Sequence, residues 1–136
     1  MTMERAFARS NDSLTAIYEF AEEILSKNAV GDAACYSVHL ALEELFVNMV
    51  KYNPDVDSAI DVGVAIIEDK VTVTLTEYGV PEFDVTAPRN VDINAPLAER
   101  TPGGLGVYLI QNLADSLEYE YGDGRSRVIF TKESGV

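Results

Sequence analysis

Apolar residues recur at Cys35, Val38, Leu42, Leu45 and Met49. Steps of three and four place them on one stripe of a helix that must pack against something. Gly31-Asp32 breaks and recaps the chain before this helix, and Asn53-Pro54 stops it, because proline disfavours helical geometry in the residue before it. A second stripe, Leu14, Ile17, Tyr18, Ala21, Ile24 and Leu25, faces away from Glu19, Glu22 and Glu23. It predicts a helix from about Leu14 to Lys27, with N-cap chemistry supplied by Asn11, Asp12 and Ser13. The period then changes to two. Ile60, Val62, Val64 and Ile66 alternate, Glu68-Asp69-Lys70 turns the chain, and Val71, Val73 and Leu75 alternate with Thr72, Thr74 and Thr76. This is a hairpin with one face on a core. A weaker alternation from Met3 to Ala8 suits an edge strand. Val107, Leu109, Ile110 and Leu113 form the apolar side of a third helix. A closing hairpin is expected from about Ser116 to Tyr121 and Arg127 to Thr131, around Gly122-Asp123-Gly124.

Helices and strands in this order are segregated rather than strictly alternating. The fold class that follows is α+β: a two-layer sandwich with a mixed, largely antiparallel sheet and helices on one face. Between the two hairpins, roughly residues 79–102, nothing periodic occurs apart from a short helical turn near Leu97 to Arg100. Pro81, Pro88, Pro96 and Pro102 punctuate the stretch. An irregular connection longer than about 12–15 residues is commonly a lid or binding loop. Phe83, Val85, Val91, Ile93 and Leu97 give it apolar groups that can pack on the body.

Length and charge narrow the function. With 136 residues the chain is read as one domain, 1–136, with enough material for a real core. The net charge of −13 excludes the electrostatics of a nucleic-acid binder, although an anionic nucleotide can still enter as a magnesium complex in a locally basic pocket. No apolar run reaches the roughly 20 residues of a membrane span, and the first residues lack a secretory pattern. A single cysteine, Cys35, suits a reducing compartment, so a cytoplasmic protein is expected. Cys35 and His39 lie one turn apart, but two ligands are too few for a metal site, and a core cysteine is the plainer reading. Asp55 to Asp61 lacks the central glycine of a calcium loop.

Two stretches carry candidate chemistry. On the central helix, Glu44 and Asn48 are four apart, so they project from one face one turn above the other. A carboxylate and an amide so placed can hold a divalent cation or a polarised hydroxyl; alternatively, both simply face water. The second stretch is Thr101-Pro102-Gly103-Gly104-Leu105-Gly106, which opens the third helix. Glycines allow close backbone approach, and a helix N-terminus presents free N–H groups and a positive dipole end, the form of a phosphate cradle. Arg100 sits just upstream and can reach a terminal phosphate.

Three blocks in order resemble the anti-sigma-factor serine kinases, a compact branch of the GHKL ATPases related to gyrase and histidine kinases. Glu44-Leu45-Phe46-Val47-Asn48 resembles the N box. Glu77-Tyr78-Gly79-Val80-Pro81 resembles the first glycine box, and Gly103-Gly104-Leu105-Gly106-Val107-Tyr108-Leu109-Ile110 the second. The resemblance implies the Bergerat ATP-binding sandwich, with ATP and Mg2+. It makes Glu44 the general base and Asn48 the magnesium ligand through its amide oxygen. Gly104, Leu105 and Gly106 would lie at the phosphates, Glu77 and Gly79 at the base, and Arg100 on the terminal phosphate during transfer. Lys51 adds charge nearby but reads as a surface lysine. The implied partners are a STAS-type anti-anti-sigma protein, which would be phosphorylated, and a sigma factor or similar regulator; a homodimer is consistent with the branch. In one respect the chain departs from the pattern. The first glycine box normally begins with aspartate, and here Glu77 is one methylene longer. Two functions follow: an ATP-dependent protein serine kinase, or a partner-binding adaptor that keeps the fold and binds ATP weakly or not at all.

Overall fold

The computed structural model describes residues 2–86 and 104–135. The elements are β1 (Thr2–Phe7), α1 (Leu14–Lys27), α2 (Asp32–Tyr52), β2 (Ile60–Ile67), β3 (Lys70–Tyr78), α3 (Gly104–Leu113), β4 (Ser116–Gly122) and β5 (Arg125–Glu133). The five strands form one sheet in the order β1-β2-β3-β5-β4, and every pairing is antiparallel. The sheet is thus the fully antiparallel case of the expected sandwich. Its inner face carries Val62 and Val64 of β2, Val71, Val73 and Leu75 of β3, and Val128 and Phe130 of β5, all buried. These pack with Ile17, Leu25, Leu42, Leu45, Phe46 and Met49 of the two long helices in a single apolar cluster.

β3 fixes the position of the site. Its inward residues are Val71, Val73 and Leu75, and strand alternation carries the next inward place to Glu77, which is only 2% exposed. A carboxylate therefore occupies what would be the last core position of the strand. In register beside it on β5 stands Ser126, also buried. The β4–β5 turn has Asp123 and Gly124 at φ 54° and 76°. Two consecutive positive φ values match the right-handed twist of a tight hairpin.

The structure departs from the sequence reading in four local respects. Residues Asn11–Ser13 form a 3-10 turn capped by Ser10, whose side chain accepts from the Asp12 N–H. Ser13 instead donates its hydroxyl to the Ala8 carbonyl, so the cap lies earlier than expected. Tyr18 is not on the inner stripe. It is half exposed and stacks on His39, with ring centroids 4.1 Å apart, because a tyrosine can cover a helix edge with its ring while its hydroxyl stays wet. Leu109 likewise points outward on α3, where Val107 and Ile110 alone are fully buried. Finally, β5 is longer than its apolar core, since Arg125 and Ser126 continue the ladder against Tyr78 and Glu77.

Of the expected lid, the first part is described. Val80 and Val85 are buried, and Phe83 lies against Tyr52 with centroids 4.8 Å apart. The helical turn at Leu97 to Arg100 and the packing of Val91, Ile93 and Leu97 fall outside the described residues. No helix among the described residues is long and apolar enough to cross a membrane.

Candidate functional site

The site is built along the C-terminal half of α2, between the start of α3 and the end of β3. Helical spacing puts Glu44 and Asn48 about 6 Å apart along the axis on one face. Leu42, Leu45, Phe46 and Met49 hold that half of the helix rigidly in the core.

Glu44 faces α3 directly. A methyl group built on Gly106 would lie 2.5 Å from Glu44 Cδ and 3.1 Å from its Cγ, and would overlap Oε2. The carboxylate therefore rests on the bare Cα of Gly106, and any side chain there would make it shift. The N–H groups at the start of α3, from Gly104, Leu105 and Gly106, have no intrahelical acceptors and bring a positive dipole end to this point. The two stretches that carry candidate chemistry, one on the middle helix and one at the glycine-led start of α3, meet at Glu44 and Gly106. Burial, and secondarily the charge of neighbouring Glu43, push the Glu44 carboxyl above the usual carboxylate range. A raised carboxyl pKa favours proton acceptance near neutral pH.

Asn48 is buried at 2% exposure, and its amide nitrogen finds no hydrogen-bond partner among the described residues. An unpaired buried amide costs about 1–3 kcal/mol. Buried polar groups in native proteins are nearly always hydrogen-bonded, to protein or to ordered water. A half-turn of the amide head presents its oxygen, a hard donor suited to a hard cation. Among the described residues no cluster of three His, Cys, Asp or Glu side chains could cage a metal.

At the far end lies Glu77, which the resemblance puts at the base and which is paired within the fold. Arg9 Nη1 donates to Glu77 Oε1 at 2.6 Å, and both side chains are nearly completely buried. Arg9 is itself fixed by backbone, with Nε on the Ser58 carbonyl and Nη1 on the Met49 carbonyl, each at 3.2 Å. Asn53 Nδ2 also approaches Oε1, at 3.4 Å. Sequence reading missed Arg9, and no local pattern marks it. Beyond Glu77, Gly79 adopts φ +68° and a methyl group there would meet nothing within 4 Å, so the backbone is open on that side. The following Val80 is clamped to the last hairpin: its N–H donates to the Gly124 carbonyl at 3.1 Å and its carbonyl accepts from the Tyr121 hydroxyl at 2.8 Å.

The structure therefore seats Glu44 on Gly106, with Asn48 one turn further along α2 and Gly104 and Leu105 in the same first turn of α3, and sets Glu77 at the end of β3 with Gly79 just past it. Arg100 lies outside the described residues. A separate groove of about 440 Å3, lined by Leu14, Tyr18, Tyr36, His39 and Glu43 among others, runs between α1 and α2. It contains none of Asn48, Glu77 or Gly106. Gly106→Ala is expected to force the Glu44 carboxylate off its seat and lower phosphoryl transfer by about 10²-fold or more, the loss typical of a displaced acid–base group. Transfer assays beside a melting curve would check this, and a variant as active as the parent would refute the seat.

Comparison with known proteins places the chain in a family. The family model described as histidine kinase-like ATPase domain matches residues 7–132. The serine-protein kinase RsbW of Listeria monocytogenes is 30% identical over 115 residues, which cover 80% of this chain and 72% of that protein. The protein of the same name from Halalkalibacterium halodurans is 28% identical over 91 residues, 64% of this chain and 56% of that one. Among solved structures, the RsbU and RsbW domains of Rv1364c from Mycobacterium tuberculosis align with a TM-score of 0.70 at 12% identity. That match covers 98% of this chain and 32% of the other, so the chain spans about a third of that solved protein, and the likeness is one of fold. With a family model matched over residues 7–132 and a relative 30% identical over most of both chains, the chain belongs to the histidine kinase-like ATPase family, on the branch that includes the RsbW serine-protein kinases.

Proposed function

We propose that the protein is an ATP-dependent protein serine kinase and anti-sigma-type regulator that phosphorylates a STAS-type antagonist in a partner-switching system. The observation that carries this reading is the Glu44 carboxylate resting on Gly106 at the start of α3. It puts a proton acceptor beside a turn of free amide groups suited to phosphates. In this reading Glu44 takes the proton of an antagonist serine hydroxyl as that oxygen bonds to the γ-phosphorus and the bond to the ADP oxygen breaks. The amides of Gly104, Leu105 and Gly106 hold phosphate oxygens, and Arg100 is assigned to the γ-phosphate. The Asn48 amide oxygen would hold Mg2+, which when bound neutralises charge on the phosphates. Glu77 and Gly79 receive the base. The same surfaces would bind a sigma factor or similar regulator, as a monomer or a homodimer, in the cytoplasm, and the unit is taken as one domain with a lid at about 79–102.

The second reading, a non-catalytic adaptor, draws on one feature: the Glu77 oxygen Oε1 is already engaged by Arg9. The test that separates them uses γ-labelled ATP, Mg2+ and a STAS-domain protein from the same genome. Magnesium-dependent transfer of label to a serine of that protein is the expected result. Partner binding with no nucleotide bound at millimolar ATP decides for the adaptor.

A further inference from the structure

Arg9 is nearly as buried as Glu77, yet it belongs to the link between β1 and α1 and is 68 residues away in sequence. Two of its three bonds go to backbone carbonyls, Ser58 before β2 and Met49 on α2. The guanidinium is therefore positioned by the fold itself, and the carboxylate is positioned by the guanidinium. Among the described residues, the donors that reach Glu77, from Arg9 and Asn53, fall on the same oxygen, Oε1. A charge-assisted bond of 2.6 Å in a dry setting is short and strong, and it sets the direction in which the second oxygen points.

We propose that Arg9 is a positioning residue for base selection: by holding Glu77 Oε1 it leaves Oε2 to accept from the exocyclic amino group of a 6-aminopurine. The proposal rests on the reading of this cleft as a nucleoside triphosphate site. It also accounts for the length of the acid. Aspartate at 77 would fall short by about one carbon–carbon bond, roughly 1.5 Å, and lose contact with Arg9. Glutamate and Arg9 thus belong together as one device. A fixed acceptor discriminates by bond direction. It pairs with an amino group and opposes a 6-oxo group, which leaves two acceptors face to face. A guanidinium held by its own backbone contacts keeps the carboxylate from swinging away to relieve that clash.

The test compares dissociation constants of ATP and ITP, which differ in the 6-substituent and the N1 proton that accompanies the 6-oxo form, with Mg2+ present. In the parent protein ATP is expected to bind at least about tenfold more tightly, the scale of a lost directional bond in a dry site. Arg9→Lys keeps the charge, but one ammonium cannot serve Ser58, Met49 and Glu77 together. It should cut the ATP/ITP ratio at least about threefold while ITP affinity stays within about twofold. Arg9→Met should bring the ratio near one, and Glu77→Asp should lose it as well. If Arg9→Met does not fold, Arg9→Lys decides alone. A ratio unchanged in Arg9→Lys, even with both nucleotides weakened, means Arg9 is structural only and overturns the proposal, as does a parent protein that binds ATP and ITP equally. A parent that binds neither nucleotide removes the cleft reading itself, and the proposal with it.

Discussion

Glu44→Gln is expected to lower phosphoryl transfer by about 10²- to 10⁴-fold, the usual worth of a positioned acid–base group, with ATP affinity within a few-fold of the parent. The same substitution should make the protein more stable at neutral pH. Burial and Glu43 raise the carboxyl pKa of Glu44 in the folded state. Between its ordinary and raised values the folded chain holds a proton that the unfolded chain has released. Its contribution to stability is complete below the ordinary carboxylate range and is lost as pH rises through the raised value. Glutamine has no such dependence. Melting temperatures of parent and variant should therefore converge near pH 4 and separate above it, with the variant higher. The parent's transfer rate should rise with pH through the raised value, as the base form appears. A fully active Glu44→Gln protein would remove Glu44 from proton transfer.

The second large effect concerns Asn48. Asn48→Leu replaces an amide with an unpaired, buried nitrogen by an apolar side chain of similar size. Relief of the unmet hydrogen bond should stabilise the fold by about 1–3 kcal/mol. Magnesium-dependent nucleotide binding should be abolished, because leucine offers no oxygen. Calorimetric unfolding and nucleotide titration with and without Mg2+ read the two halves separately. Unchanged magnesium-dependent affinity would take Asn48 off the metal. A variant less stable than the parent would mean that the amide is satisfied within the fold. Glu44 and Asn48 are thus expected to share a signature: each substitution should stabilise the protein free of nucleotide, as at positions a fold tolerates where function needs them.

Much of this was legible before any coordinates. The stripe from Leu14 to Leu25 and the glycine and proline signals around the central helix gave α1 and α2 their limits, because helix period and termination are local properties. The alternation Val71, Val73, Leu75 reads as the core face of a hairpin, and in the structure the same parity carries Glu77 inward, since strand parity does not stop at the last apolar residue. Other features depended on distant contacts. Tyr18 suits either a buried or an exposed helix position, and only the neighbouring His39 decides. Ser10, Asn11, Asp12 and Ser13 are all competent caps, and the choice among them follows from where β1 delivers the chain. Arg9 could not be found at all. Its partners Met49, Ser58 and Glu77 lie 40, 49 and 68 residues away, and nothing in the sequence near Arg9 indicates that it is buried.

The parity of β3 has a consequence for how such a chain can vary. One strand serves as a ruler whose even marks are hydrocarbon and whose final even mark is an acid. Inserting or deleting one residue within it would turn Thr76 inward and cast Glu77 out to the opposite side. Loops can drift in length, but this strand can change only in steps of two, so packing and base contact must be inherited as a unit.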